Sequence, residues 1–404
     1  MANPALTEKF DVVVIGGGIQ GAGCAQALAA RQHRVLLLEK STFGSETSSK
    51  SSKLIHGGLR YLETGQLRLV RKSLRERATL LELAPELVKA KPFLIPVYKN
   101  QRLGSLMLTA GLSLYSLLGG LDKYARFHRI PAAHWNELDG LETHNLRAVF
   151  QYWDAQTDDR LLTNAVVQSA VDHQCLALEK AEFVAANRLP DGGFDIEFRH
   201  EGETLRINST AIVNAAGPWA SQVQAGIEAA PAAPQTDLVK GSHIELDQSI
   251  SDRIFYVEAP SDQRPVFIMP RHGATLVGTT EEFHEDYRVA PEASNAEQQY
   301  LLETLLHYFP GYHGKITASW AGLRVLPHTN AAPGLKRRFS KRQRDTMVVR
   351  DSKTNPRIIS LFGGKLTAYR VTAEKVAQEL EQTLGTKPGA TTTETLTLQT
   401  PGSQ

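Results

Sequence analysis

Three glycines and one acidic residue near the start of the chain have the types and the spacing of a dinucleotide-binding turn. Gly16, Gly18 and Gly21 follow the pattern G-x-G-x-x-G, and Glu39 comes eighteen residues after Gly21. The first glycine permits a tight turn, the second lets the backbone approach a pyrophosphate, and the third lets a helix pack on a strand. A carboxylate at Glu39 is placed to accept a hydrogen bond from an adenosine ribose hydroxyl. These four residues predict a bound dinucleotide.

Four cations lie beside glycine turns further along the chain, namely Arg60, Lys240, Arg324 and Lys365. Arginine and lysine side chains that converge on a pocket bind an anion, and a phosphate suits the bidentate guanidinium best. For any single one of them a solvated surface cation is the alternative. The four together favour an anionic substrate.

Two histidines also lie next to glycines, His56 in HGG and His243 in GSH. Removal of a hydride from an alcohol carbon needs a base for the hydroxyl proton, and imidazole has a suitable pKa. A hydrogen-bonded structural histidine is the alternative for each. Neither C-x-x-C nor H-E-x-x-H spacing occurs, so no metal site is predicted.

The elements that would position these groups begin with a strand over 12–16, a helix over 22–30 and a strand over 35–38. This order favours the dinucleotide site over an ordinary glycine-rich turn. Further glycine turns, around Gly57, Gly217 and Gly363-Gly364, adjoin apolar strands, and no second G-x-G-x-x-G occurs. Several converging segments with one fingerprint suit a flavin better than a nicotinamide. The turn at Gly363-Gly364 would direct backbone N–H groups at the electron-rich edge of a reduced flavin.

The remaining segments alternate between helical and strand patterns. Residues 41–52 are polar and, taken alone, predict a flexible loop. The other predictions are a helix over 65–83, extended segments at 92–98 and 124–130, a helix within 152–174 capped by Asp158 or Asp159, a β-meander over 181–214, strands over 238–328 with a helix at 295–308, and a strand, turn and helix over 357–380.

Composition bounds the class of protein. The chain has 404 residues, of which 42% are hydrophobic and 22% charged, so two domains with a substantial core are expected. A net charge of +2 argues against a dedicated nucleic-acid binder. Cys24 and Cys175 make no disulfide framework, and the first residues lack an apolar signal-peptide region. We therefore expect a cytoplasmic location.

Two segments leave peripheral contact with a membrane open. Residues 103–121 are uncharged and just long enough to span a bilayer, but their serines, threonine and glycines favour a core helix, with an interfacial helix as the alternative. Residues 335–344 carry six cations, which predict a solvated hairpin tip or a contact with an anionic surface.

Five segments together resemble one enzyme family: SSKLIHGGLRYLE (51–63), VNAAGPW (213–219), LVKGSHI (238–244), GTTE (278–281) and FGGKLTAYR (362–370). They are similar to the flavin-dependent glycerol-3-phosphate dehydrogenases, and the resemblance runs from about residue 10 to residue 385. It implies FAD as cofactor and oxidation of sn-glycerol 3-phosphate to dihydroxyacetone phosphate. The electrons would pass to a quinone or to oxygen.

The implied fold is α/β, a glutathione-reductase-like FAD-binding Rossmann domain interleaved with a β-rich substrate domain. The FAD-binding domain would comprise 1–90, 151–237 and 346–385, and the substrate domain 91–150 and 238–345. Residues 386–404, which are rich in threonine, would form a loose tail.

The resemblance also assigns residues by position. Arg60, Tyr61, Arg324 and Lys365 would line the substrate pocket, where a hydride passes to flavin N5, with His243 as first choice for the proton acceptor and His56 as second. The positions implied to bind FAD are Gly16, Gly18, Gln20, Gly21, Glu39, Lys40, Thr47, Ser48, Ser52, Lys53, Leu54, His56, Gly57, Ala216, Gly217, Trp219, Gly364, Lys365, Leu366 and Thr367.

Several departures from the family pattern leave alternatives open. Gln20 replaces the usual Asn, Glu281 replaces the usual Asp, and Ala321-Gly322-Leu323-Arg324-Val325 keeps only the arginine and glycine of Ser-Gly-x-Arg-Pro. The sequence ends where the family's C-terminal helical cap would begin, so we expect a chain without that cap. An amino-acid or 2-hydroxy-acid oxidase and a non-catalytic flavoprotein subunit stay open, as does a homodimer.

Overall fold

The computed structural model describes residues 9–99, 104–120, 124–328 and 345–401, which form two β-sheets with helices packed around them. The helices are α1 Ile19–Ala30, α2 Leu67–Leu83, α3 Ser105–Leu118, α4 Asp159–Asp172, α5 Ala220–Ala225, α6 Asn295–Tyr308 and α7 Tyr369–Leu384. The strands are β1 Phe10–Ile15, β2 Val35–Leu38, β3 Leu54–Ile55, β4 Val88–Tyr98, β5 His128–Ile130, β6 Leu146–Thr157, β7 Leu176–Leu178, β8 Ala181–Arg188, β9 Phe194–His200, β10 Glu203–Asn214, β11 Thr236–Leu246, β12 Ile254–Glu258, β13 Pro265–Arg271, β14 Ala274–Gly278, β15 Glu282–His284, β16 Ile316–Pro327, β17 Met347–Arg350 and β18 Ile358–Phe362.

The first sheet has eight strands and a parallel centre in the order β18-β10-β1-β2-β7. The centre is buried on both faces, and this is why its strands read as continuous apolar runs such as VVVI and VLLL. Ile15 pairs with both Leu38 and Asn214, so the carboxyl ends of three parallel strands meet at one edge. In open α/β sheets this edge is where ligands bind.

Helices α1, α4 and α7 share one apolar core with the centre of the first sheet. Helix α1 begins at Ile19, three residues before the predicted start, because the helix opens directly from the glycine turn. Asp158 caps α4 by accepting from the N–H groups of Arg160 and Leu161, which decides between the two predicted caps. Strands β8, β9 and β10 confirm the predicted meander.

The second sheet has ten strands, which are antiparallel apart from the pair β4 and β12. Its long pairs are β4 with β6 and β11 with β16. Helices α2 and α3 pack against one apolar cluster of this sheet, and α6 packs against another. The domain boundaries drawn from the sequence stay a prediction.

The expectation of a loose tail is wrong for the described part of 386–404. Leu398 belongs to the core around α1 and is 4% exposed, and its N–H donates to the carbonyl of Leu83 at 2.7 Å. The Thr393 hydroxyl donates to buried Glu374 at 2.6 Å. One apolar side chain and a few specific hydrogen bonds anchor a segment that has no apolar periodicity.

Helix α3 falls within the uncharged stretch 103–121. It is buried on one side only, which corrects the preferred prediction of a core helix. Across the described ranges, no helix combines the length and the hydropathy needed to cross a bilayer. The cationic segment 335–344 lies outside the described residues.

Candidate active site

One continuous cavity of about 500 Å³ opens at the carboxyl edge of the first sheet and extends against the second. Pockets of this size bind cofactors and small substrates. Most of the predicted site residues line it: Gly16, Gly18, Gln20, Glu39, Lys40, Thr47, Ser48, Ser52, Leu54, His56, Arg60, Tyr61, Ala216, Gly217, Trp219, Arg324, Gly364, Lys365, Leu366 and Thr367. Four others, Gly21, Lys53, Gly57 and His243, take the supporting positions described below.

The glycine turn has the geometry that its spacing predicts. Gly16 has φ +106°, and a Cβ on it would lie 2.6 Å from the carbonyl oxygen of Ala215. A Cβ on Gly21 would clash with the carbonyl of Gly16, so this glycine supports the turn from inside α1. The first intrahelical bond of α1 runs from the N–H of Ala22 to Gly18. Of the N–H groups before it, that of Ile19 donates to Ser48, whereas those of Gly18, Gln20 and Gly21 precede the intrahelical bonds and can face an anion.

Glu39 organises the backbone of this turn. Its carboxylate accepts from the N–H of Gly17 at 2.7 Å and from the N–H of Ser41 at 2.8 Å. Burial raises the pKa of Glu39, and the two N–H donors oppose that shift. Each carboxylate oxygen keeps a second lone pair, and Glu39 lines the cavity, so the predicted contact with a ribose hydroxyl stays open to it.

Lys40 and Trp219 form a second contact at this part of the cavity. The ammonium nitrogen of Lys40 lies 3.3 Å from the centroid of the Trp219 ring, and Tyr287 meets the same ring edge-on. Burial lowers the pKa of Lys40. The pair offers a flat, partly charged surface beside the adenosine side of the predicted cofactor site.

The polar segment 41–52, which predicts a flexible loop when taken alone, is held by specific bonds. The Thr47 hydroxyl donates to the carbonyl of Leu323 at 2.8 Å, and the N–H of Ile19 donates to Ser48 at 2.9 Å. Behind the cavity, buried Lys53 forms an ion pair with Asp159 at 2.5 Å. Lys53 therefore supports the loop from behind the cavity. The resemblance had implied that this residue contacts the cofactor.

The turn at 363–367 meets the glycine turn. The Gln20 amide donates to the carbonyl of Lys365 at 3.2 Å. The ammonium of Lys365 lies 3.7 Å from the centroid of the Tyr61 ring, and the N–H of His56 donates to the Thr367 hydroxyl at 3.2 Å. Gln20, which replaces the family's usual Asn, therefore links the two turns.

A buried carboxylate that sequence reasoning missed supports the HGG turn. Asp154 accepts from the N–H of Gly57 at 3.1 Å, from Arg77 at 2.8 Å and from the Tyr115 hydroxyl at 2.8 Å. Burial raises the pKa of Asp154, and the Arg77 guanidinium opposes that shift. A charged residue in the middle of an apolar strand, YWDA, is the sequence signal that could have identified it.

Arg324 lies on β16 and is held from two sides. Its guanidinium donates to the Thr279 hydroxyl at 3.1 Å and forms an ion pair with Glu281 at 3.5 Å. The side chain is 26% exposed and lines the cavity. Arg264, which the sequence analysis missed, lies on the same wall and donates to the carbonyl of Glu281 at 2.9 Å.

His243 lies on β11 behind the cavity wall. It is 1% exposed, it stacks on Trp320 with ring centroids 5.8 Å apart, and its Nε2 lies 3.1 Å from the Ser52 hydroxyl. Burial, with Arg324 and Lys53 nearby, lowers the pKa of His243 to about 3. The residue is therefore neutral at physiological pH, and it reaches the cavity through Ser52.

Lys240 does not join the other cations. Its ammonium forms ion pairs with buried Glu297 at 2.7 Å and with Glu282 at 3.1 Å. Glu297 also accepts from the hydroxyls of Ser242 and Thr280. The cation predicted for an anionic substrate is here a structural link between β11 and α6.

The cavity fits FAD. Its glycine turn is a cradle that a Cβ would fill, the start of α1 offers N–H groups to a pyrophosphate, and separated segments with aromatic and cationic side chains continue the cavity away from this turn. The fold and the site define a dinucleotide-dependent oxidoreductase.

Comparison with known proteins agrees with that class. The model of the FAD dependent oxidoreductase family matches residues 11–370. The aerobic glycerol-3-phosphate dehydrogenase of Staphylococcus saprophyticus is 32% identical over 393 residues, which are 95% of this chain and 69% of that protein. The chain belongs to the FAD dependent oxidoreductase family, in its glycerol-3-phosphate dehydrogenase group, and FAD is its cofactor.

Two solved structures show the same fold. The glycerol-3-phosphate dehydrogenase from Bacillus halodurans complexed with FAD has a TM-score of 0.75 and 27% identity, and the match covers 98% of this chain and 68% of that one. The L-alpha-glycerophosphate oxidase from Mycoplasma pneumoniae with FAD bound has a TM-score of 0.72 and 17% identity, covering 95% of this chain and 97% of that one. The predicted α/β fold class is confirmed.

Proposed function

We propose that this enzyme oxidises sn-glycerol 3-phosphate, or a close anionic alcohol, to the ketone. Bound FAD supplies the hydride acceptor. The observation that carries the proposal is the convergence of Arg60, Arg324, Lys365 and His56 on the cavity that also holds the glycine turn. Three cations suit a phosphate, and a histidine suits the proton of a hydroxyl. The names of the relatives supply the choice of glycerol 3-phosphate among anionic alcohols.

In this proposal the cations bind and orient the phosphate. Arg324 is preorganised, because Thr279 and Glu281 hold its guanidinium before substrate arrives. Tyr61 lies under the ammonium of Lys365, which fixes the position of that charge. A preorganised cation loses less side-chain entropy on binding than a mobile one does.

We assign the proton transfer to His56 and a supporting role to His243, which reverses the order expected from the sequence. His56 lines the cavity, and its backbone is held by Thr367. His243 is buried behind the wall, and a base with a pKa of about 3 is a weak proton acceptor at neutral pH. Through Ser52, His243 instead orients a hydroxyl that does line the cavity.

The test is anaerobic reduction of the purified, FAD-loaded protein, followed by loss of the flavin absorbance. Glycerol 3-phosphate should bleach the flavin, whereas glycerol, which lacks the phosphate, should bleach it far more slowly. A panel of 3-phosphoglycerate, lactate, glycine and D-alanine separates the competing substrates. Bleaching by an amino acid or a 2-hydroxy acid and not by glycerol 3-phosphate would overturn the substrate assignment.

We propose that the electron acceptor is a quinone or oxygen, and the rate of flavin reoxidation discriminates between the two. The reduced protein is mixed with a short-chain ubiquinone analogue or with oxygenated buffer, and flavin reoxidation is timed in each case. Faster reoxidation by the quinone supports a dehydrogenase. Faster reoxidation by oxygen with stoichiometric peroxide would make the protein an oxidase.

A further inference from the structure

Tyr152 is a buried tyrosine in the wall of the cavity. It lies on β6 two residues before Asp154, so the two side chains point to the same face of the strand. Tyr152 is 4% exposed and lines the cavity. Because the N–H of Gly57 donates to Asp154, this face of β6 adjoins the HGG turn. Tyr152 therefore lies beside the turn that carries His56.

Aromatic packing fixes the orientation of the Tyr152 ring. The centroid of the Phe93 ring lies 5.2 Å from that of Tyr152, with 44° between the ring planes. The ring of Tyr115 meets Tyr152 edge-on, with centroids 5.9 Å apart. Phe93 and Tyr115 are themselves buried in the core of the second sheet. A ring packed by two buried aromatic side chains holds its hydroxyl in a fixed position before a ligand arrives.

The fold makes no use of the Tyr152 hydroxyl. Within the part of the chain that the structure describes, no residue hydrogen-bonds to it, and its oxygen is accessible and not sealed in the core. The neighbouring Tyr115 differs, because its hydroxyl donates to both oxygens of Asp154, at 2.9 and 2.8 Å. Gly57 and Arg77 also donate to Asp154, so this carboxylate is occupied by other donors. The hydroxyl of Tyr152 is therefore available to a ligand in the cavity.

The Tyr152 hydroxyl keeps its proton at physiological pH. Burial, with the Asp154 carboxylate nearby, raises the pKa of Tyr152 well above its usual value. A phenol that keeps its proton does not act as a base, but it can donate a hydrogen bond to an oxygen that gains negative charge. Tyr152 thus complements His56, which is the proposed proton acceptor on the adjoining turn.

We propose that the Tyr152 hydroxyl donates a hydrogen bond to the C2 oxygen of the substrate, the oxygen that becomes the ketone. This inference rests on the proposed function and deepens it by naming the group that positions the reacting oxygen. As the C2 hydroxyl gives its proton to His56, negative charge grows on the oxygen, and a fixed donor stabilises that charge without reorganisation. Tyr152 itself gains and loses no proton. The cations would hold the phosphate, so the two ends of the reacting unit would be fixed by different groups.

The experiment is titration of the oxidised, FAD-loaded protein with two ligands, followed by the change in flavin absorbance. Dihydroxyacetone phosphate carries the C2 oxygen, whereas 3-hydroxypropyl phosphate is glycerol 3-phosphate without it. Tyr152→Phe removes only the hydroxyl and should weaken binding of dihydroxyacetone phosphate about three- to tenfold, which corresponds to one lost hydrogen bond. The variant should bind 3-hydroxypropyl phosphate as tightly as the wild type does, and its melting temperature should not fall, because the fold does not use this hydroxyl.

The matched control is Tyr308→Phe. The Tyr308 hydroxyl donates to the carbonyl of Glu258 at 2.6 Å within the apolar cluster around α6. This variant should melt at a lower temperature and keep both affinities.

An unchanged affinity of Tyr152→Phe for dihydroxyacetone phosphate overturns the inference, as does an equal loss for both ligands or a variant that does not fold. The proposed function fails separately: in that case the wild type binds neither ligand and glycerol 3-phosphate does not bleach its flavin, and the inference falls with it.

Discussion

The two parts of the cavity are built in different ways. The dinucleotide part uses backbone groups from one contiguous stretch, the turn between β1 and α1, with Glu39 bonded to its N–H groups. The proposed substrate part uses side chains from three separated segments, with His56 and Arg60 in the first, Arg324 in the second and Lys365 in the third. A site made of contiguous backbone groups tolerates few substitutions of its glycines but many substitutions at other positions. A site made of side chains depends on each of those side chains and on the buried residues that hold them in place.

The largest expected effect is that of His56→Asn. Removal of the proposed proton acceptor should lower the rate of flavin reduction about 100- to 10,000-fold, because general-base catalysis contributes that much. FAD should stay bound, since the glycine turn is unchanged. Stopped-flow reduction together with the flavin spectrum measures both quantities. Loss of FAD would show that the two parts of the cavity are not separable, and an unchanged rate would remove His56 from the chemistry.

Arg324→Ala should cost about 2–4 kcal/mol of transition-state binding, measured as kcat/KM for glycerol 3-phosphate. Arg324→Lys should recover part of it, because a lysine keeps the charge but loses the bidentate geometry. Melting temperature separates this effect from the lost bonds to Thr279 and Glu281. Unchanged turnover with intact flavin would exclude Arg324 from the substrate part of the cavity.

Gly18→Ala should weaken FAD binding by about 2 kcal/mol, since the added methyl group stands where backbone N–H groups meet the pyrophosphate. The fold should survive, because the nearest atom to that Cβ is the Ser48 hydroxyl at 3.1 Å. The control is Gly104→Ala, where a Cβ meets nothing within 4 Å. FAD titration of the apoprotein measures the affinity. Equal affinities for the two variants would contradict recognition by the backbone at Gly18.

The last expected effect is on stability and not on the chemistry of the cavity: a pH dependence of unfolding caused by His243. Its pKa is about 3 in the folded protein and 6.5 in the reference state, so the unfolded chain binds a proton that the folded one does not. This contribution to stability is fully present above pH 6.5 and is lost by about 1.4 kcal/mol per pH unit as the pH falls towards 3.

Urea unfolding of the wild type and of His243→Gln between neutral and mildly acidic pH checks the sign. The unfolding free energy of the variant should fall less steeply with decreasing pH than that of the wild type. If the unfolding free energies of the two proteins fall with pH at the same slope, His243 is not buried in its neutral form. His243 would then again be a candidate for the proton acceptor.

Local signals in the sequence predicted much of the fold. The G-x-G-x-x-G turn, the apolar strands on either side, the β8–β10 meander and helix α6 follow from periodicity and from turn residues that act over a few positions. Local signals did not predict the packing of the tail or the partial exposure of α3. Leu398 is buried against distant α1, and α3 has one uncovered side, and neither fact is encoded in the segment's own pattern.

By itself the sequence determined the glycine turn and predicted a cofactor site there, because the turn, its helix and its acid are neighbours along the chain and their chemistry belongs to the backbone. The sequence also identified the candidate cations and histidines, but it could not tell which of them lie at the cavity. Only the tertiary structure separated His56 on the cavity wall from His243 behind it, and placed Lys240 with Glu297 rather than with Arg324. Burial and long-range pairing decide the role of a side chain, and both depend on segments that meet only after folding.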